Sequence, residues 1–156
     1  MSADVRTGER IEIDLEAPPR QVYEAIATEE GVRSWWTDGS FAEQVGGTSR
    51  LVFGHGWTEL RVDRLEPDHD IEWSCVGQHI SHFEPTDEWV GTTIKFHLEP
   101  LDGGDRTRLH FVHEGLAGLR CEEMCVKGWD HYIRVSLRAL LEEGEGAPGP
   151  GRGSGA

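Results

Sequence analysis

The chain has little cysteine, too few cations for its acids, and no long apolar run. Its three cysteines, Cys75, Cys121 and Cys125, are an odd number, so they read as reduced thiols of a cytoplasmic protein rather than as a disulfide framework. Lys and Arg total 15 against 29 Asp and Glu, a formal net charge of −14. That balance excludes nucleic acid, because phosphate binding is driven by counterion release at a basic face. Anionic lipid surfaces are repelled for the same reason. No segment approaches the length of a membrane span, and Met1 to Arg10 is polar without the apolar centre of a signal peptide. There is no Gly-x-Ser-x-Gly elbow, and Gly46-Gly47 reads as a turn rather than a phosphate loop.

What the chain does have is aromatic weight, six Trp, five Phe and two Tyr within an apolar fraction of 37%. A length of 156 residues suits one domain with a substantial core. Ile11 to Leu15 alternates apolar and acidic residues as a half-buried strand does. Ala17-Pro18-Pro19 stops it and opens a short helix with Val22, Tyr23, Ile26 and Ala27 on one face. A second short helix spans Val32 to Trp36. Strands are then expected at Phe41 to Gln44, Arg50 to Phe53, Thr58 to Leu65 and around Ile71, Trp73 and Cys75, which share one face. Residues 77–91, with Pro85 among them, read as a long loop or an extended, twisted hairpin end. Ile94, Phe96 and Leu98 mark one further strand, and Leu109, Phe111 and His113 the last.

The chain then becomes helical from about Cys121 to Glu143. Cys125, Trp129, Tyr132, Ile133, Ser136, Leu137 and Leu140 recur at spacings of three and four and form one stripe. The predicted organisation is a disordered start over 1–9, one domain over 10–145, and a Gly- and Pro-rich disordered tail over 146–156. Strand, two short helices, a run of strands and one long helix is an α+β order. Only the last helix is long enough to cover the sheet, and a bent sheet around one helix leaves room for a ligand.

Ala17-Pro18-Pro19-Arg20-Gln21-Val22-Tyr23-Glu24-Ala25-Ile26, Val32-Arg33-Ser34-Trp35-Trp36, Leu65-Glu66-Pro67 with Ile71-Glu72-Trp73, Thr92 to Phe96, Thr107 to Gly115, and Gly128-Trp129 occur in this order. Together they resemble the START-like (SRPBCC) superfamily, and within it the family named after the activator of the heat-shock-protein-90 ATPase. The resemblance covers roughly residues 10 to 145. It implies a helix-grip fold, a curved antiparallel sheet of six or seven strands wrapped around the last helix, with an apolar ligand cavity. It carries over no set of catalytic residues.

The expected cavity wall is Trp35, Trp36, Phe53, Trp73, Cys75 and Phe96, continued by Phe111, His113, Cys125, Trp129 and Tyr132. Trp35 and Trp36 are helical neighbours, so one is expected inside and the other at the cavity mouth. His113 is the candidate catalytic residue, as a general base supported by Glu114 or Tyr132. Set against this is a core histidine bonded to Glu114 or to backbone. His79, His82, His55, Glu84 and Asp87, or Cys121 with Cys125, contain metal-ligand types but match no closed ligand spacing, so neither metal nor other cofactor is expected. The favoured function is binding of a small apolar or aromatic molecule, with a homodimer allowed. A cyclase, dehydratase or hydrolase of the same fold and a chaperone-binding domain are the alternatives.

Overall fold

In the computed structural model, residues 8–54, 56–81 and 84–149 are described. Seven strands form one antiparallel sheet: β1 (Gly8–Leu15), β2 (Asp38–Ser40), β3 (Thr48–Phe53), β4 (Gly56–Glu66), β5 (Asp70–Ile80), β6 (Thr93–Leu101) and β7 (Arg106–Glu114). The spatial order is β1-β7-β6-β5-β4-β3-β2, so the first strand pairs with the last. Two short helices, α1 (Pro19–Ala27) and α2 (Glu29–Trp35), fill the gap between β1 and β2. The C-terminal helix lies against the inner face of the sheet, through Trp129, Ile133 and Leu137. This is the expected helix-grip arrangement. Among the described residues no helix is long and apolar enough to cross a membrane.

Where the sequence alternates, the strands follow it. Thr107, Leu109, Phe111 and His113 of β7 are buried, and the residues between them are not. In β6 the inner residues are Ile94, Phe96 and Leu98. Each pair of neighbours across β6 and β7 matches, Ile94 opposite His113 and Phe96 opposite Phe111, so one face of the sheet becomes continuously apolar. The opposite face carries charge, with Arg108 bidentate on Asp14 at 2.8 and 3.2 Å and His110 bonded to Glu99 at 2.9 Å.

Several expected boundaries move, each for a physical reason. The strand expected over Phe41 to Gln44 lies instead at Asp38–Ser40, paired with β3. Gly39 permits this: at φ 147° any Cβ there would stand 2.2 Å from the Arg50 carbonyl oxygen. Of the two readings of the segment from Gly77, the extended one holds as far as Ile80, where β5 ends. The pairing of β4 with β5 skips at Asp63 and at Val76. Such bulges bend a sheet and shift the face that following residues show. Inward parity therefore passes from Cys75 to Gln78 and Ile80, which a strict two-residue period does not anticipate.

The C-terminal helix is also not uniform. It consists of α3 (Glu122–Trp129), a wider π-helical segment (Asp130–Leu137) and α4 (Arg138–Glu143). In an α-helix, successive steps of four residues drift by about 40°. A π turn holds more residues, so the drift over that segment runs the other way, and Trp129, Ile133 and Leu137 are all buried against the sheet. Tyr132 and Leu140, expected on the same stripe, are only partly buried.

Residues 146–149 belong to the span expected to be a disordered tail, yet they are seated. The Ala147 N–H donates to Ser136 Oγ at 2.7 Å, and the Gly149 N–H to the Trp36 carbonyl at 2.7 Å. Residues 150–156 and 1–7 lie outside the described residues.

Trp129 is 2% exposed at the helix–sheet interface. Trp129→Ala should destabilise the fold by about 3–5 kcal/mol. Chemical denaturation monitored by circular dichroism measures this. A near-neutral result would mean that the helix does not pack on this face.

Candidate functional site

The helix–sheet interface is an aromatic cluster. Trp35 stacks on Trp36 (centroids 5.8 Å, planes at 13°), and Trp36 stacks on Trp73 (5.9 Å, 10°). Trp36 also meets Phe53 edge-on at 6.2 Å and Trp129 at 5.0 Å. Phe96 lies 5.1 Å from Trp73 and 5.3 Å from Phe111, which lies 4.6 Å from Trp129. Separations of this kind favour offset and edge-to-face packing, which adds to the burial of large rings.

Trp35 and Trp36 are 0% and 2% exposed, so both face inward and neither sits at a mouth. Adjacent positions of a continuing helix would point about 100° apart. Trp36, however, is the residue at which α2 ends, with φ −109° and ψ −82°, and this turn of the backbone carries its ring inward beside that of Trp35. The Trp35 indole N–H is satisfied by the Ala25 carbonyl at 2.8 Å. Of the other expected wall residues, Cys75 is buried on β5 with its thiol directed at the Gly77 carbonyl, 3.4 Å away. Burial pushes that thiol up to about 12. Tyr132 stands outside the stack, edge-on to His131 at 5.0 Å.

One residue was missed by sequence reading. Trp89, in the irregular segment before β6, is 7% exposed and stacks on Trp129 at 6.1 Å and 13°. Its neighbours seat it there. Glu88 accepts from the Arg120 and Cys121 amides at 2.7 and 2.8 Å, the second of them at the residue that caps the start of α3. The Trp89 amide donates to Gln78 Oε1 at 2.9 Å, and its indole N–H to Cys125 Sγ at 3.3 Å. Trp89 belongs to no periodic run, so only its aromatic character could have drawn attention to it.

His113 is 0% exposed and turned toward the helix. The Trp129 indole N–H donates to its Nδ1 at 3.0 Å, and its Nε2 lies 2.9 Å from Thr92 Oγ1. The Thr92 hydroxyl donates to the Trp89 carbonyl at 2.7 Å, so it accepts from His113. This assigns the neutral Nε2–H tautomer, with the Nδ1 lone pair already occupied. Burial alone pushes the His113 pKa down to about 3. Neither expected helper takes part: Glu114 faces outward to Lys95 at 3.3 Å, and Tyr132 is elsewhere. The arrangement holds Trp129 and Thr92 in place, and abstracting a proton would require breaking it.

The neighbouring Cys125 sulfur, burial and the Glu88 carboxylate push the Cys121 thiol up, so it stays protonated. The Cys121 thiol beside it and the Trp89 indole N–H lower the Cys125 pKa despite burial. Among the described residues no group of three or more His, Cys, Asp and Glu side chains is placed to hold a metal. His55 and His82 lie outside the described residues.

A histidine whose folded pKa lies below its unfolded value of about 6.5 supports stability fully above that value, and the support is lost as pH falls toward the folded pKa. His113→Phe leaves the Trp129 indole N–H without its acceptor, which costs about 1–3 kcal/mol at pH 7, while the Thr92 hydroxyl keeps its bond to the Trp89 carbonyl. The stability gap between the two proteins should then narrow by about 1.4 kcal/mol per unit from pH 6.5 toward about 3. Urea titrations at pH 7, 6 and 5 measure it, and a gap that stays constant would show that His113 does not remain neutral in the fold.

Comparison with known proteins agrees with the architecture. The family model described as "Activator of Hsp90 ATPase homolog 1-like protein" matches residues 16–142. The solution structure of the Aha1 dimer from Colwellia psychrerythraea is 30% identical, with a TM-score of 0.74 over 88% of this chain and 97% of that one. A crystal structure from Chromobacterium violaceum has 22% identity and a TM-score of 0.71 over 86% and 96%. DynU16, a protein of the dynemicin biosynthetic locus, has 21% identity and a TM-score of 0.64 over 88% of this chain and 48% of its own. No curated protein matches the sequence. With the matched span running from the end of β1 to α4, the chain belongs to the activator of Hsp90 ATPase homolog 1-like family.

Proposed function

We propose that the protein binds a small, planar, uncharged aromatic molecule, taken up by stacking among Trp35, Trp36, Trp73 and Trp129. The observation that carries this reading is the near-parallel Trp35–Trp36–Trp73 stack, whose flat faces suit a flat guest. The buried polar residues described are Thr37, Ser49, Thr58, Gln78, Thr92, Thr107, His113 and Ser136, none of them a cation. A ligand carboxylate would lose its hydration there without gaining a counter-charge. This favours neutral aromatics over fatty acids. An enzyme is disfavoured because His113 is neutral and bonded at both nitrogens. Three free cysteines, all buried, fit a reducing cytoplasm.

A protein-partner role is the second reading. It draws support from the 30% identity to the Aha1 dimer, which also supports a homodimer. An open groove of about 630 Å³ on the α1–α2 side, rimmed by Glu24, Glu30 and Glu43 with Leu140 and Leu141 on its wall, adds to it. Such a groove would suit a basic, partly apolar segment.

A neutral bicyclic aromatic such as naphthalene should quench tryptophan fluorescence saturably. Trp36→Ala, which removes two stacking faces, should weaken binding about tenfold or more. Absence of any saturable change across a panel of neutral aromatics would sink the ligand reading and leave the partner role first.

A further inference from the structure

The segment after α4 is held in a way that differs from everything around it. Ala147 is bracketed by the π-helical segment: its N–H donates to Ser136 Oγ at 2.7 Å, and its carbonyl meets His131 Nε2 at 3.0 Å. Two residues on, the Gly149 N–H donates to the Trp36 carbonyl at 2.7 Å. Ser136 Oγ–H in turn donates to the Trp35 carbonyl at 2.7 Å. Residues 145–149 therefore clip the C-terminal helix to the end of α2, at the two residues that supply half of the tryptophan stack.

The fit is close in backbone and poor in side chains. A Cβ at Gly146 would stand 2.4 Å from the Ser34 carbonyl oxygen, and one at Gly149 would stand 2.2 Å from Tyr132 Oη. Yet Glu145, Ala147 and Pro148 are exposed, and the segment buries no large apolar side chain. A piece of chain fastened by a few hydrogen bonds and little apolar burial opens locally at far lower cost than the sheet. Trp36 is the residue it would release. Its ring touches Trp35, Phe53, Trp73 and Trp129, and its backbone has already left the helix.

We propose that residues 145–149 form a latch that, when seated, holds Trp36 within the stack and, when released, lets the Trp36 ring move out and open the stack to a guest. The latch rests on the ligand-binding reading for its purpose. Its geometry is independent of that reading.

The test uses the full chain with Ala147→Pro and Gly149→Val together. The first removes the N–H that reaches Ser136, the second puts a side chain where Tyr132 Oη stands, and neither alters the core. Acrylamide quenching of tryptophan emission should rise at least twofold. The neutral probe N-phenyl-1-naphthylamine should bind at least fivefold more tightly than to the unaltered protein. Raised quenching with no probe binding to either protein would keep the latch and reject the aromatic-ligand reading. Unchanged quenching overturns the latch, whatever the probe does. Should the double variant fail to fold, hydrogen exchange in the unaltered protein decides. The Ala147 and Gly149 amides should exchange at least a hundredfold faster than those of β6 and β7. Equal protection would make the segment an integral part of the fold and overturn the proposal.

Discussion

Trp129 reaches from α3 to the sheet and donates its indole N–H to Nδ1 of His113, while its ring packs on Trp36, Trp89 and Phe111. That one contact joins the last helix to the last strand, and other features follow from it. Because Nδ1 accepts, the proton sits on Nε2 and must find an acceptor. Thr92 supplies it and passes its own hydroxyl proton to the Trp89 carbonyl. The segment carrying Trp89 is thereby tied to the same point, and Glu88 beside it caps the helix that holds Trp129. No buried side-chain polar atom among the described residues is left without a partner, which is what a low-dielectric interior demands.

The separation of charge from this interior explains how so acidic a chain folds. On the outer surface of the sheet Arg108 pairs with Asp14, and His97 and His110 are hydrogen-bonded to Asp70 and Glu99. The Arg108 hydrogen bonds hold the Asp14 carboxyl below its ordinary range. These pairs are exposed and screened, so they contribute little to stability individually. Arg108 does set an opposite charge beside Asp14 and Glu99 on the two strands that flank it.

The aromatic cluster and the C-terminal segment meet at Trp36. Its side chain belongs to the core and its carbonyl to the surface segment that ends at Gly149. A residue in that position couples a weakly held surface element to the most heavily packed part of the interior. Ser136 makes the parallel link for Trp35, since one hydroxyl accepts from Ala147 and donates to the Trp35 carbonyl.

What the amino-acid order determined by itself is what repeats locally. The alternation of Ile11 to Leu15, Ile94 to Leu98 and Leu109 to His113 places these residues correctly on β1, β6 and β7. The spacing of Cys125, Trp129, Ile133 and Leu137 identifies the buried side of the last helix. Period and apolar character reside in neighbouring residues, so they can be read without the fold. Tertiary structure alone decided the burial of Trp89, the change of inward face after Cys75, the inward turn of Trp36, the partners of His113 and the seating of residues 146–149. Each of these depends on residues brought together from distant parts of the chain or on one departure from regular backbone geometry. Such features leave no periodic trace, because a hydrogen bond between Trp129 and His113 or between Gly149 and Trp36 exists only once the sheet has curved around the helix.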